Sequence, residues 1–257
     1  MMKTQTQLLA AKIRHMIVCG EYAAGDKLRE HDLAKQLDVS RTPVRLALSE
    51  LEQQGLLAYA PNRGFVAKAF TVEEILDAVD VRERLEGMAV GVVAMRGATD
   101  VVARALESCL LQVDGLLARD TLKERDAATW IEINGVFHET IVQAAGNRVL
   151  SDAVARIELV PLASPRRFID MFMADRFRDA MIASQLSHRW IFDAILARDI
   201  ARAESVMRQH IHESRNRLKH FLEESRADPR VANDASLRRI VGAESKHAKP
   251  RAAQGAE

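Results

Sequence analysis

From Thr71 to about residue 224 the apolar residues keep a helical spacing, and no run between them alternates with the two-residue period of a strand. A chain of this kind buries its apolar stripes by packing helix on helix. The spacing predicts one helix from Thr71 to Arg96, with Thr71 as its cap and Glu74 in support three residues on. Further helices are predicted at about 98–118, 121–145, 147–160, 177–197 and 199–224. Aromatic residues are only 5% of the chain, with 12 Gly and 6 Pro, which argues against an all-β fold. The fold class is therefore mainly α.

The first 70 residues read differently. Leu8, Leu9, Ile13, Met16 and Ile17 are spaced for one face of a helix over Gln5 to Val18, and GEYAAGDKL follows as an irregular connection. A short helix from Glu30 to Leu37, a tight turn at Asp38-Val39-Ser40 and a helix from Arg41 to Gln54 come next, stopped by Gly55. Ser40 is placed to cap that last helix with its hydroxyl, and Pro43 sits in the first turn, where its missing N–H costs nothing. Val44, Ala47, Leu48 and Leu51 form its buried stripe, so Arg41, Thr42, Arg45 and Ser49 face outward. Leu56 to Tyr59, a turn at Pro61-Asn62-Arg63-Gly64, and Phe65 to Ala67 then read as a hairpin. Three helices and a hairpin in about 70 residues make a winged helix-turn-helix.

Three segments result: a winged helix-turn-helix over 1–70, an all-helical bundle over 71–225, and a polar, Ala-rich tail over 226–257 expected to be disordered. Charge follows the same division. Residues 1–70 carry ten Lys and Arg against seven Asp and Glu, the tail carries seven against four, and the middle is acidic. Cys19 and Cys109 are too few for a disulfide framework or a Cys-rich zinc module. The longest uncharged run in the middle, Gly87 to Met95, is far below the ~20 apolar residues that span a bilayer. With no secretory apolar segment at the N-terminus, a cytoplasmic protein without membrane partners is expected.

The helix that starts at Arg41 is suited to a duplex. Orphan backbone N–H groups at Arg41 and Thr42 can meet a phosphate, Arg45 one turn on can reach guanine O6 and N7, and Arg63 at the hairpin tip can enter the adjacent groove. The competing reading is a small helical domain with a solvated Arg face. The stretch GEYAAGDKLREHDLAKQLDVSRTPVRLALSELEQQGLL…NRGFVA resembles the N-terminal domain of GntR-family transcription regulators, most specifically in Val39 to Arg45. The resemblance implies DNA contacts at Ser40, Arg41, Thr42 and Arg45, joined by His31 and by Arg63 and Gly64 of the wing. Leu46 departs from the family, which usually places Glu there.

A second constellation lies in the helical part. Asn134 and His138 are four apart on one face. His188 and His210 are 22 apart, with a break at Ala197-Arg198-Asp199 and Asp199 midway as a cap. Folded as a hairpin, both imidazoles land at the same height, roughly 16 Å from the turn at 1.5 Å per residue. Three imidazoles and an amide can then converge on Zn²⁺, Ni²⁺ or Mn²⁺. The alternative is that these are ordinary core or rim histidines. His15, His212, His220 and His247 are expected to be solvated.

Asp80 to Ala94, Asn134 to Leu150 and Ser187 to Ile211 resemble the all-helical FCD ligand domain of the FadR-like branch over roughly 72–222. The resemblance implies metal ligands at Asn134, His138, His188 and His210, with Asn134 replacing the more usual Asp. A neutral amide is a weaker ligand than a carboxylate and leaves more positive charge for an anionic effector to meet. It also places a pocket Arg at Arg82, whose fork suits a carboxylate, the alternative being an intrahelical pair with Glu86 worth ~0.3–0.5 kcal/mol. Ser164-Pro165-Arg166-Arg167, Arg176 and Arg178 add positive charge, mostly at the surface.

The reading that follows is a homodimeric transcription regulator of repressor type. It senses a small carboxylate or sugar acid and sets two winged helices on a near-palindromic duplex. The alternative is a helical metallohydrolase with an accessory DNA-binding domain. That reading needs a general base beside the metal, and neither Glu132 nor Glu139 is well positioned for it by spacing. The chain is therefore not expected to be an enzyme.

Overall fold

The computed structural model describes residues 5–18, 21–22, 25–160, 162–164 and 174–227. The described chain divides between Thr71 and Val72 into two compact units. The expected tail begins inside the last helix, which runs to Ala227; its residues 228–257 and Pro165, Arg166 and Arg167 lie outside the described residues, as do the side chains of His15 and Arg176.

The N-terminal unit runs α1 (Gln5–Val18), α2 (Glu30–Gln36), α3 (Arg41–Gln53), β1 (Leu57–Ala60) and β2 (Gly64–Ala67). Val44, Ala47, Leu48 and Leu51 of α3 are buried, as are Ile13 of α1 and Leu33 of α2, the two helices packed against α3, so the stripe expected from the spacing is the core. Burying each large aliphatic side chain contributes ~1.5–3 kcal/mol. Gly55 follows α3 at φ +79, a left-handed conformation that costs glycine least. In the antiparallel hairpin, Leu57 pairs with Ala67 and Tyr59 with Phe65, and Asn62 (φ 63) and Gly64 (φ 77) make its turn. The connection read as irregular is in part ordered: Lys27 bridges Val66, and the Leu28 N–H donates to Phe65 O at 2.9 Å. Ser40 corrects an expectation. Its backbone is extended at the start of α3 and the residue is exposed, but its side chain makes no capping bond.

The C-terminal unit is all-helical: α4 (Val72–Arg96), α5 (Asp100–Leu117), α6 (Glu124–Ala144), α7 (Arg148–Ile157), α8 (Ala174–Leu196) and α9 (Ile200–Ala227). Caps explain several boundaries. Thr99 accepts from Val102 N–H ahead of α5, and Asn147 accepts from Leu150 N–H ahead of α7. The helix expected from 121 begins at Glu124, because Asp126 accepts the Lys123 N–H at 2.9 Å and fixes the first turn there. Asp199 Oδ1 accepts from Arg202 N–H at 3.0 Å, and Arg198 turns the chain at φ 54, so α8 and α9 reverse at the expected break. α4 lies close against α9. A Cβ at Gly87 would stand 2.8 Å from Arg208 Cγ, and the adjacent Glu86 is buried inside the bundle. No helix among the described residues is long and apolar enough to cross a membrane.

Candidate DNA interface and candidate metal centre

α3 presents Arg41 and Arg45 one turn apart, with side chains 68% and 74% exposed. They line one groove with His31, Asn62, Arg63 and Gly64, so α2, α3 and the hairpin turn face a common space. Ser40 and Thr42 are exposed at the start of α3 but do not line this groove. Leu46 is 55% exposed, so this departure from the family pattern is a surface feature rather than a packing one.

Glu30, the first residue of α2, was not anticipated here. Its Oε2 accepts from Arg41 Nη2 at 3.3 Å, and its Oε1 lies 3.8 Å from Arg45 Nε. One carboxylate thus neutralises part of both guanidinium groups in the groove. The Glu30→Gln variant should bind random-sequence duplex more tightly, by up to about five-fold, matching the ~0.2–1 kcal/mol of an exposed ion pair. Fluorescence anisotropy at fixed salt measures this, and weaker binding by the variant would contradict it.

The second constellation converges in the C-terminal unit. His138 on α6, His188 on α8 and His210 on α9 are all at least 95% buried. His138 Nε2 lies 3.2 Å from His210 Nε2, and His188 Nε2 lies 3.3 Å from the same atom. The ligand nitrogens of all three fall within 4.8 Å of one another. Phe137 stacks on the His188 ring at 4.1 Å between centroids and holds its plane. Asn134, one turn before His138, is 8% exposed. His212 is half exposed, 3.5 Å from Glu83, and His220 is exposed.

Glu86 of α4 binds both sides of this network. Its Oε2 is 2.5 Å from His138 Nδ1, and its Oε1 accepts from Arg82 Nε at 2.7 Å. Arg82 Nη1 also donates to Ala163 O at 2.6 Å. The Arg82–Glu86 pair therefore exists, but with side-chain exposures of 4% and 1% it is not the surface pair considered from spacing. Burial pushes the Glu86 carboxyl up, but the His138 and Arg82 charges and hydrogen bonds outweigh it and bring it down to about 2. Arg178 is not a free surface charge: it donates to Leu117 O and Arg119 O.

His188 and His210 have pKa values well below the ordinary imidazole value. Burial is the main cause for both, followed for His188 by the charge of His138 and for His210 by the charges of His188, His138, Arg82 and Arg217. Both are thus held neutral, the form that ligates a metal. The unfolded chain takes up protons near pH 6.5 while the folded chain resists, so stability is present above that pH and lost as pH falls below it. The metal-free protein should show a falling Tm between pH 7 and 5, and a flat Tm over that range would contradict this account. The Glu86 contribution is lost only below about pH 4.5 and does not blur this window.

Known proteins agree with both halves. Residues 5–66 match the family described as bacterial regulatory proteins, gntR family, and residues 77–213 match the FCD domain. The Nta operon transcriptional regulator of Aminobacter aminovorans is 32% identical over 195 residues, covering 70% of this chain and 90% of its own. The chain belongs to the GntR family. The HTH-type transcriptional repressor GlaR of Escherichia coli K12 is 29% identical over 199 residues, covering 77% of this GntR protein and 89% of its own length. The solved structure of E. coli McbR/YncC shares the fold with a TM-score of 0.67 at 19% identity, covering 85% of this chain and 99% of that one. These relatives are transcription regulators and not enzymes, which sets the metallohydrolase alternative aside.

Three polar partners were out of reach of sequence reading: Glu30 beside Arg41 and Arg45, Glu86 beside His138, and the Ala163 carbonyl beside Arg82. The signal for Glu86 was its i, i+4 spacing from Arg82. Nothing in the sequence ties it to a histidine 52 residues away.

Proposed function

We propose that this GntR protein is a homodimeric repressor whose helical unit binds a divalent metal and a small carboxylate or sugar acid and thereby releases DNA. The carrying observation is the buried His138, His188 and His210 cluster, with no ordinary core need for three imidazoles at one point. The donor set fits a metal. Tetrahedral Zn²⁺ at ~2.0–2.1 Å from each nitrogen places ligand nitrogens about 3.3 Å apart, close to the 3.2 and 3.3 Å observed. When bound, the ion would offer a Lewis-acidic position for an anionic oxygen. Asn134 is the fourth candidate ligand, supplying an amide oxygen without charge.

The repressor assignment is supported by the relative named as a repressor, GlaR, and by the "Probable D-xylose utilization operon transcriptional repressor" of Paenarthrobacter nicotinovorans. DNA contacts are proposed for His31, Ser40, Arg41, Thr42, Arg45, Arg63 and Gly64, and effector contact for Arg82. An effector acts only if its affinity differs between the DNA-competent and released states. The test is a thermal-shift screen of organic acids with and without Zn²⁺ or Ni²⁺, followed by DNA binding with each hit. A cognate acid should raise Tm by mass action in the presence of metal and weaken DNA binding. Stabilisation by an acid that leaves DNA affinity unchanged would contradict the switch.

A further inference from the structure

The bundle interior holds one continuous polar chain: Ala163 O, Arg82, Glu86, His138, His210 and His188. Three of its members carry the proposed metal and one the proposed effector contact, but Glu86 belongs to neither set and touches both. We infer that Glu86 is a positioning residue that fixes His138 for the metal and, through its second oxygen, joins Arg82 to the same centre. This rests on the metal reading above.

A carboxylate only accepts, so the His138 proton facing it resides on Nδ1. That tautomer leaves the Nε2 lone pair facing His210 Nε2, within the cluster whose ligand nitrogens lie within 4.8 Å of one another, which is the orientation a ligand nitrogen needs. Carboxylates in this position fix ring orientation and raise the basicity of a metal-bound imidazole. Glu86 cannot serve His138 alone, because being 1% exposed it would be an uncompensated buried charge without Arg82. Arg82 is itself fixed by the Ala163 carbonyl. Its planar fork therefore holds the carboxylate at the angle His138 requires, and any anion drawn to Arg82 competes with Glu86 for the same guanidinium. Metal and anion binding are in this way linked by one side chain, and linkage is reciprocal.

The experiment uses the full chain and Co²⁺ alone as probe, titrated with a competing chelator and followed by the cobalt absorption spectrum. Glu86→Gln keeps the volume and removes the charge, and should weaken Co²⁺ about 10–100-fold. Glu86→Asp, which keeps the charge but shortens the reach, should recover part of this loss. Arg82→Lys touches none of the three histidines, yet should weaken Co²⁺ by a smaller factor. The double variant Glu86→Gln with Arg82→Lys should bind no more weakly than Glu86→Gln alone, because the Arg82 effect passes through the carboxylate. Helix content and Tm without metal separate misfolding from ligand loss. If Glu86→Gln fails to fold, the Arg82→Lys and Glu86→Asp affinities decide the matter, and wild-type affinity in both overturns the inference. A folded Glu86→Gln that binds Co²⁺ as tightly as wild type, or losses that multiply in the double variant, also overturns it while leaving the metal reading standing. A wild-type chain that binds no Co²⁺ overturns both.

Discussion

His188→Ala is expected to lose divalent metal by at least about 100-fold and to lose the effector response, while the metal-free variant still binds DNA. His188 supplies one of three imidazole nitrogens, and its removal leaves two ligands at a site where Asn134 offers only a neutral oxygen. Among the described residues, the group of His, Cys, Asp or Glu that could hold an ion is these three histidines, and Glu86 meets His138 on its other ring nitrogen. The ring is also a packing element, stacked on Phe137 and 2% exposed, so the truncation also costs folding free energy, ~2–4 kcal/mol by analogy with other large-to-small core changes. Metal content by elemental analysis and DNA affinity by anisotropy separate the two effects. Metal at the wild-type level would remove His188 from the site, and parallel loss of DNA binding would point to unfolding rather than lost sensing.

Arg45→Ala is the matching test of the N-terminal unit. The side chain is 74% exposed, one turn into α3, with a 3.8 Å contact to Glu30, so truncation leaves the fold intact. A bidentate Arg–guanine contact is worth ~1–3 kcal/mol, so affinity for a selected site should fall about 5–150-fold and discrimination at one base pair should relax. Arg41→Ala, at the helix start where phosphate binding is expected, should instead weaken all duplexes alike and lower the salt slope by about one. Unchanged base preference in Arg45→Ala would take base readout away from this residue.

Local rules read well in this chain, and long-range ones did not. The apolar stripes of α3 and the hairpin follow from periodicity alone, because the spacing of Val44, Ala47, Leu48 and Leu51 admits one buried face. The meeting of His188 and His210 was also legible, since a break midway between two residues 22 apart brings them level when α8 and α9 reverse. That His138 could join them was read from the helical bundle as one of two alternatives, and the family resemblance favoured it, as no spacing connects α6 to that hairpin. The carboxylate partners were hidden for a different reason: Glu30 and Glu86 act through space across helices, where sequence distance carries no geometry. Ser40 shows the opposite error, a favourable capping residue in the right place whose hydroxyl makes no capping bond.

The most direct test of the account is selection of bound sites from a random-sequence duplex pool with the purified protein, without metal or effector, at about 0.1 M salt. The account predicts enrichment of a near-palindromic site, bound at least about 10³-fold more tightly than unselected duplex, with Arg45→Ala losing preference at a symmetric position in each half. A pool that stays unenriched through successive rounds, with only salt-sensitive binding to every duplex, would contradict it.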